Sequence, residues 1–434
     1  MYLDKIRTKL ETKIELSPHF GEIIQIYDNK IKANGLKTSI GDIVSIIGAD
    51  VDTSGIVSAI DMDSFSVIPF GSTHGYKIGD KVFISQKGLK IGVGEALLGR
   101  IIDPFANPID NKGEIKKDEF VPIINTPIKA MNRGLIDEVF SVGIKSIDGL
   151  LTCGKGQKMG IFAGSGVGKS TLMGMIVRGS KASVKVVALI GERGREVPEF
   201  VAKNLGGDLT NTIIVVATSD DSPLMRKYGA FSAMSIAEYF KNQGKDVLFI
   251  MDSITRFAMA QREIGLSLGE PPTSKGYPPS VLSLLPQLME RAGKEENKGS
   301  ITAFFTVLVE GDDLNDPIAD QSRSILDGHI VLSREMSEFG IYPPISILAS
   351  ASRTINDVID KKHLENVIRF RKVYSLLKEN EILIRIGSYQ KGSDRELDYA
   401  INKKEKLEEF LEQDSTALLD FNEIKGKLEE IFKT

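Results

Sequence analysis

The chain has 434 residues, 41% of them hydrophobic and 26% charged, an ordinary globular composition long enough for two or three domains. Its net charge of −4 lacks the basic excess of an electrostatic nucleic-acid binder, so no nucleic-acid partner is expected. The single cysteine, Cys153, excludes an intramolecular disulfide and a multi-cysteine zinc site, and the scattered His19, His74, His329 and His363 give no metal-ligand spacing.

At the N-terminus, Leu3, Ile6, Leu10 and Ile14 recur at helical steps before Ser17-Pro18, which predicts a short amphipathic helix. Two readings of it stand: a helix packed on its own domain, or a docking helix for a partner or membrane surface. The segment mixes charge with apolar residues and lacks the core of a signal peptide, and no run approaches the roughly 18 apolar residues of a membrane helix. The expected compartment is therefore the cytoplasm.

Residues 21–86 carry short apolar runs at 23–26, 43–47, 55–57, 65–68 and 82–84, separated by turn formers such as Asp28-Asn29, Asn34-Gly35 and Gly79-Asp80. Strands this short and evenly spaced predict a small closed β-barrel, assigned to residues 1–90 with the leading helix. From Gly92 the texture changes. Runs rich in Val and Ile at 184–190, 212–217, 247–251, 301–309 and 330–332 alternate with helical stretches, as buried parallel strands do in an α/β domain, here 91–360. Beyond residue 357 only 382–386 keeps a β signal; charged amphipathic helices predict a helical C-terminal domain over 361–434.

The chemistry centres on Ala163-Gly-Ser-Gly-Val-Gly-Lys-Ser170, which follows a short apolar strand and opens a helix at Thr171-Leu-Met-Gly-Met-Ile-Val177. Strand, glycine loop and helix are the context a Walker A loop needs. Glycines let backbone N–H groups turn inward around an anion, and the helix N-terminus points at it. Gly164, Ser165, Gly166, Val167, Gly168, Lys169, Ser170 and Thr171 are the expected phosphate cradle. Lys169 reaches the β- and γ-phosphates, and Ser170 ligates magnesium. The strict pattern opens with glycine where this chain has Ala163, a small residue needing only an ordinary backbone conformation there.

Asp252 ends the buried run 246–252, where an acid can hold the metal's water shell in the Walker B role; the competing reading is a helix cap. Glu192, in Gly191-Glu-Arg-Gly-Arg-Glu196, follows the strand 184–190 and sits where open α/β sheets bind ligands. It is read either as the general base for an attacking water or as part of a solvated charged loop.

These motifs, with Asp252-Ser-Ile-Thr-Arg256, Gly276-Tyr-Pro-Pro-Ser280, Ala349-Ser-Ala-Ser-Arg353, Leu98-Gly-Arg-Ile-Ile-Asp103 and Pro108-Ile-Asp110, occur in the order found in rotary ATP synthase catalytic subunits and type III export ATPases. The chain resembles the flagellar branch of that family over nearly its whole length. Injectisome ATPases and an ATP synthase catalytic subunit are the alternatives.

The resemblance implies an N-terminal barrel, a RecA-like P-loop core and a helical C-terminal domain, assembled as a homohexamer with ATP and Mg²⁺ at subunit interfaces. It implies that Glu192 is the catalytic glutamate with Arg193 beside it, that Asp252 is the Walker B acid, and that Tyr342 packs on adenine. It makes Arg353 an arginine finger supplied in trans, worth about 10³ to 10⁵ in rate. Glu310-Gly-Asp-Asp-Leu-Asn-Asp-Pro317 resembles a pore loop facing a coiled-coil stalk protein. The further partners implied are a stator-type regulator at the N-terminal helix, an export gate at the membrane, and export substrates with their chaperones. The location implied is peripheral, on the inner face of the cytoplasmic membrane at the flagellar base.

Overall fold

The computed structural model describes residues 19–309 and 316–433. The N-terminal helix expected over residues 3–14 and most of the acidic loop (310–315) lie outside the described residues. The chain divides into two compact units, Met1–Lys90 and Ile91–Thr434.

In the first unit, six strands close into a barrel: β1 (Gly21–Ile26), β2 (Ile31–Asn34), β3 (Ile43–Ile47), β4 (Asp52–Ile60), β5 (Phe65–Pro69) and β6 (Lys81–Gln86), in the order β1-β2-β5-β4-β3-β6. Every neighbouring pair is antiparallel, and β6 returns to β1. Alternation along each strand sends Ile23, Ile31, Val44, Ile46, Val57, Phe65, Val67 and Val82 into one apolar interior. All five apolar runs expected here are strands.

The second unit opens with β7 (Lys90–Val93), β8 (Ile101–Ile102) and β9 (Glu119–Pro122), the first and last forming a two-stranded ribbon. Its main sheet comprises β8, β10 (Lys158–Ala163), β11 (Val184–Glu192), β12 (Thr212–Thr218), β13 (Asp246–Asp252), β14 (Gly293–Lys294), β15 (Ser300–Leu308), β16 (Gly328–Val331) and β17 (Ala351–Ser352). The order is β17-β16-β10-β15-β13-β11-β12-β8, parallel from β16 to β8, with β17 antiparallel at the edge and β14 pairing with β15. Helices cover both faces, so the central strands are buried throughout; this is why they read as unbroken apolar runs.

The helices that position the site are α1 (Lys145–Leu150), α2 (Lys169–Gly179), α3 (Pro223–Asn242), α4 (Ile254–Ser267), α5 (Pro279–Met289), α6 (Pro317–Ile325) and α7 (Arg334–Glu338). Then come α8 (Lys361–Glu379), α9 (Glu381–Arg385), α10 (Arg395–Leu411) and α11 (Phe421–Phe432). The C-terminal helices join the sheet's core: Phe370, Phe410, Ile424 and Leu428 share one apolar cluster with Ile147, Leu150, Leu172 and Ile176. Residues 382–386, expected to keep β character, are instead the helix α9 and its end. Ile384 N donates to Asn380 O and Ile386 N to Ile382 O, both at 3.0 Å. The Ile-Leu-Ile run is too short for periodicity to separate strand from helix, and among the described residues no strand pairs with it. Among the described residues no helix is long and apolar enough to cross a membrane.

Candidate functional site

The phosphate loop connects β10 to α2 at the carboxyl end of the parallel strands. Ala163 is the buried last residue of β10, in extended conformation, so it costs nothing where the strict motif has glycine. Gly166 and Gly168 take φ of 78° and 91°, a region that penalises a Cβ, and Gly168 is the residue that caps α2. Gly164, Ser165, Gly166, Gly168, Lys169, Ser170 and Thr171 all line one cleft of about 930 Å³. Val167 does not: its side chain points into the core beneath the loop, so only its backbone can serve the cradle.

Asp252 and Glu192 end β13 and β11, which are neighbours in the sheet, and both carboxylates reach the cleft. Lys169 Nζ lies 2.5 Å from Asp252 Oδ1 and 3.6 Å from Glu192 Oε1. Burial alone would lower the Lys169 pKa, but the two carboxylates outweigh it and hold the ammonium form. Thr306, on β15 between the P-loop strand and β13, donates to Asp252 Oδ1 at 2.7 Å and so fixes the acid's rotamer. The Asp252–Ser253 peptide is cis. Asp252 does not cap α4: Ser253 does, accepting from Arg256 N at 3.2 Å.

Glu192 is the unusual group. Burial first, and then the neighbouring Asp252 charge, push its pKa from 4.5 up to about 7. Its Oε1 is buried and accepts no hydrogen bond. A carboxylate that is largely desolvated, with one oxygen free of hydrogen bonds and a pKa near neutrality, is suited to take a proton from water. Arg193 lines the same cleft but is largely exposed, with Glu196 3.7 Å away.

Residues that sequence reasoning left without a role also line the cleft. Arg256, from the first turn of α4, has a buried Nε with no hydrogen-bond partner. A Cβ on Gly191 (φ 75°) would sit 2.7 Å from Arg256 Cβ, so that glycine lets the arginine pass. Ser415, from the segment joining α10 to α11, closes another side. Arg256 was visible as part of a motif; nothing local to Thr306 or Ser415 signals a site.

Tyr342 does not line this cleft, but it borders the loop: its Cε1 is 3.5 Å from where a Gly168 Cβ would stand. Its ring is half exposed, and its hydroxyl is 3.1 Å from Ser337 Oγ. Arg353 is elsewhere. It follows β17, its N–H donates to Asp327 O at 2.9 Å, and the strand register places it at the amino end of the parallel strands, opposite the phosphate loop. It therefore cannot serve the cleft of its own chain. Its guanidinium is exposed and donates to Arg323 O, at 3.4 Å.

Among the described residues no group of three or more His, Cys, Asp or Glu could hold a metal ion by itself. One hydroxyl, one carboxylate and a phosphate cradle instead suit magnesium that arrives on a nucleotide, because this ion keeps its waters and takes few protein ligands.

A mostly parallel sheet with a glycine loop, a buried lysine and acids at two neighbouring strand ends defines a P-loop nucleoside triphosphatase. Residues 143–352 match the nucleotide-binding domain of the ATP synthase alpha/beta family, and residues 359–430 match the T3SS EscN ATPase C-terminal domain. The chain is 64% identical to the flagellum-specific ATP synthase of Helicobacter pylori (strain J99) over 434 residues, all of both chains. It is 47% identical to the protein of the same name from Borreliella burgdorferi over 84% of each. The assembled ATPase EscN of the enteropathogenic E. coli type III secretion system superposes with a TM-score of 0.89 at 44% identity, covering 95% of this chain and 99% of that one. EscN in complex with its central stalk EscO matches equally, at 0.89 and 43% identity. The chain belongs to the ATP synthase alpha/beta family and, within it, to the flagellum-specific ATP synthases.

Proposed function

We propose that this chain hydrolyses Mg-ATP to power the flagellar type III export apparatus, releasing and unfolding export substrates carried by chaperones. The observation that carries the hydrolytic reading is Glu192: a largely buried carboxylate, its Oε1 without a hydrogen bond and its pKa pushed up to about 7, set beside the Lys169–Asp252 pair over the phosphate loop. A spacer subunit that only binds nucleotide has no use for such a group. Identity of 64% to a flagellar relative, against 42% to the type 3 secretion system ATPase of Xanthomonas euvesicatoria, supports the flagellar assignment.

The residues divide the work as follows. The backbone of residues 164–170 cradles the phosphates, and Lys169 exchanges its bond to Asp252 for the β- and γ-phosphates. Ser170 and Asp252 would hold the magnesium ion that arrives with the nucleotide. When bound, the metal neutralises charge on the phosphate oxygens. Glu192 orients the attacking water and takes its proton. Arg193 and Arg256 add positive charge at the cleft. Tyr342 supports the adenine.

Arg353, remote from its own cleft, acts in a neighbour's, so the active form is a ring, read as a homohexamer by likeness to the assembled EscN. The acidic segment 310–317 meets a coiled-coil stalk, as EscN has EscO. A stator-type regulator at the N-terminal segment and an export gate hold the ring at the inner face of the cytoplasmic membrane.

The test is twofold. The purified chain should hydrolyse ATP only with a divalent cation, with a rate per subunit that climbs with protein concentration. Deleting its gene should abolish filament assembly and flagellin export. A magnesium-independent rate, or normal filaments in the deletion strain, would overturn the corresponding half.

A further inference from the structure

Between α10 and α11 the chain crosses back over the site as a strap, residues 412–420, and the side chain that ties it down is Gln413. This residue is only 8% exposed and does not line the cleft. Its carboxamide is fully used. Oε1 accepts from Lys145 N at 2.7 Å, at the start of α1. Nε2 donates to Gly143 O at 2.8 Å and to Ala417 O at 2.5 Å. Its own backbone N–H donates to Tyr342 O at 2.8 Å.

Three separate segments thus meet on one residue: the entry to α1, the strap and the Tyr342 turn. Only a carboxamide offers an acceptor and two donors on one flat group of this length. A second tie fixes the strap to the phosphate loop's own helix: Arg178 Nη2 donates to Ser415 O at 2.5 Å, and Ser415 lines the cleft.

We propose that Gln413 is the positioning residue of the base side of the nucleotide site. It holds the strap against the domain so that its backbone can fix Tyr342 beside Gly168. The inference rests on the reading of Tyr342 as the adenine support. Gln413 does not line the phosphate cleft, and the strap's contact with that cleft, Ser415, keeps its own tie to Arg178, so the effect of Gln413 falls chiefly at the Tyr342 end of the site. Without its carboxamide, Lys145 N, Gly143 O and Ala417 O lose their partner, the strap loosens, and the Tyr342 turn loses a fixed donor.

The experiment compares Gln413→Leu and Tyr342→Ala in the full chain, by steady-state ATPase kinetics and by competitive inhibition with inorganic tripolyphosphate, which has no base. Expected for both variants is a KM for ATP raised roughly tenfold, about 1.4 kcal/mol of binding, with kcat at saturation nearly kept. The tripolyphosphate inhibition constant should stay within about twofold of wild type, a split that general loosening of the fold would not produce. Should Gln413→Leu not fold, Gln413→Glu keeps the size and the acceptor for Lys145 N, loses the donors, and should show the same split.

A raised KM in Tyr342→Ala with a wild-type KM in a soluble Gln413 variant overturns the positioning role alone. A wild-type KM in Tyr342→Ala overturns the adenine reading and this inference with it. An equal loss of ATP and tripolyphosphate affinity in the Gln413 variant also overturns it, since Gln413 would then support the whole site.

Discussion

Glu192→Gln separates catalysis from stability in one substitution. The amide keeps the shape of the side chain but cannot accept a proton from water. Loss of a general base costs about 10² to 10⁴ in rate, so hydrolysis should fall by that factor while ATP still binds. The same change should stabilise the nucleotide-free protein, in a pH-dependent way. In the folded chain the Glu192 carboxyl titrates near 7 rather than 4.5, so the native state holds a proton that the unfolded state releases.

The sign follows. Stability from this group is fully present below about 4.5 and is lost as pH rises toward and through 7. At about 1.4 kcal/mol per unit, going from pH 5 to pH 8 should cost wild type about 2.5 kcal/mol that the glutamine variant keeps. Chemical denaturation of both proteins at the two pH values, without nucleotide, measures the difference. A gap between the variants that stays constant with pH would refute the claim that Glu192 is buried as an acid. Near wild-type turnover would refute its role as base.

Three other outcomes are expected. Arg353→Ala should abolish turnover, and mixing it with Lys169→Ala should restore a fraction through hybrid interfaces; verified mixed rings without recovery would exclude a finger supplied in trans. Gly191→Ala should cost about 1–2 kcal/mol for the left-handed backbone alone and should also impair turnover, because the new methyl meets Arg256. Its thermal melt and kcat together check this, and an unchanged kcat would mean that Arg256 has no part in the cleft. Arg291 is fully buried and forms a two-point pair with Glu238, at 2.9 and 2.7 Å, while donating to Ile123 O and Ser235 Oγ. Arg291→Ala should therefore cost about 3–5 kcal/mol in denaturant titration, since it strands a buried carboxylate.

Much of this site could be read locally. The apolar runs at 184–190, 212–217 and 247–251 became β11, β12 and β13 almost to the residue, because strands buried on both faces leave no ambiguity of register. The phosphate loop was legible because its glycines, Lys169 and Ser170 are contiguous and their chemistry is backbone chemistry. Asp252 and Glu192 were legible because each ends such a strand. The run 382–386 misled, since a short β-branched stretch takes its conformation from its neighbours.

The barrel, the parallel core and the phosphate loop could be read from the residues alone, because periodicity and a contiguous loop are properties of the chain. That Glu192 is desolvated rather than part of a solvated loop came from packing and from an acid sixty residues away, neither of which its own segment records. The tertiary structure alone placed Arg353 on the far end of the sheet from its own cleft. It alone brought Thr306, Ser415 and Gln413 into play: a hydrogen bond between distant segments leaves no trace in either segment, and exists only once the core has brought them within 3 Å.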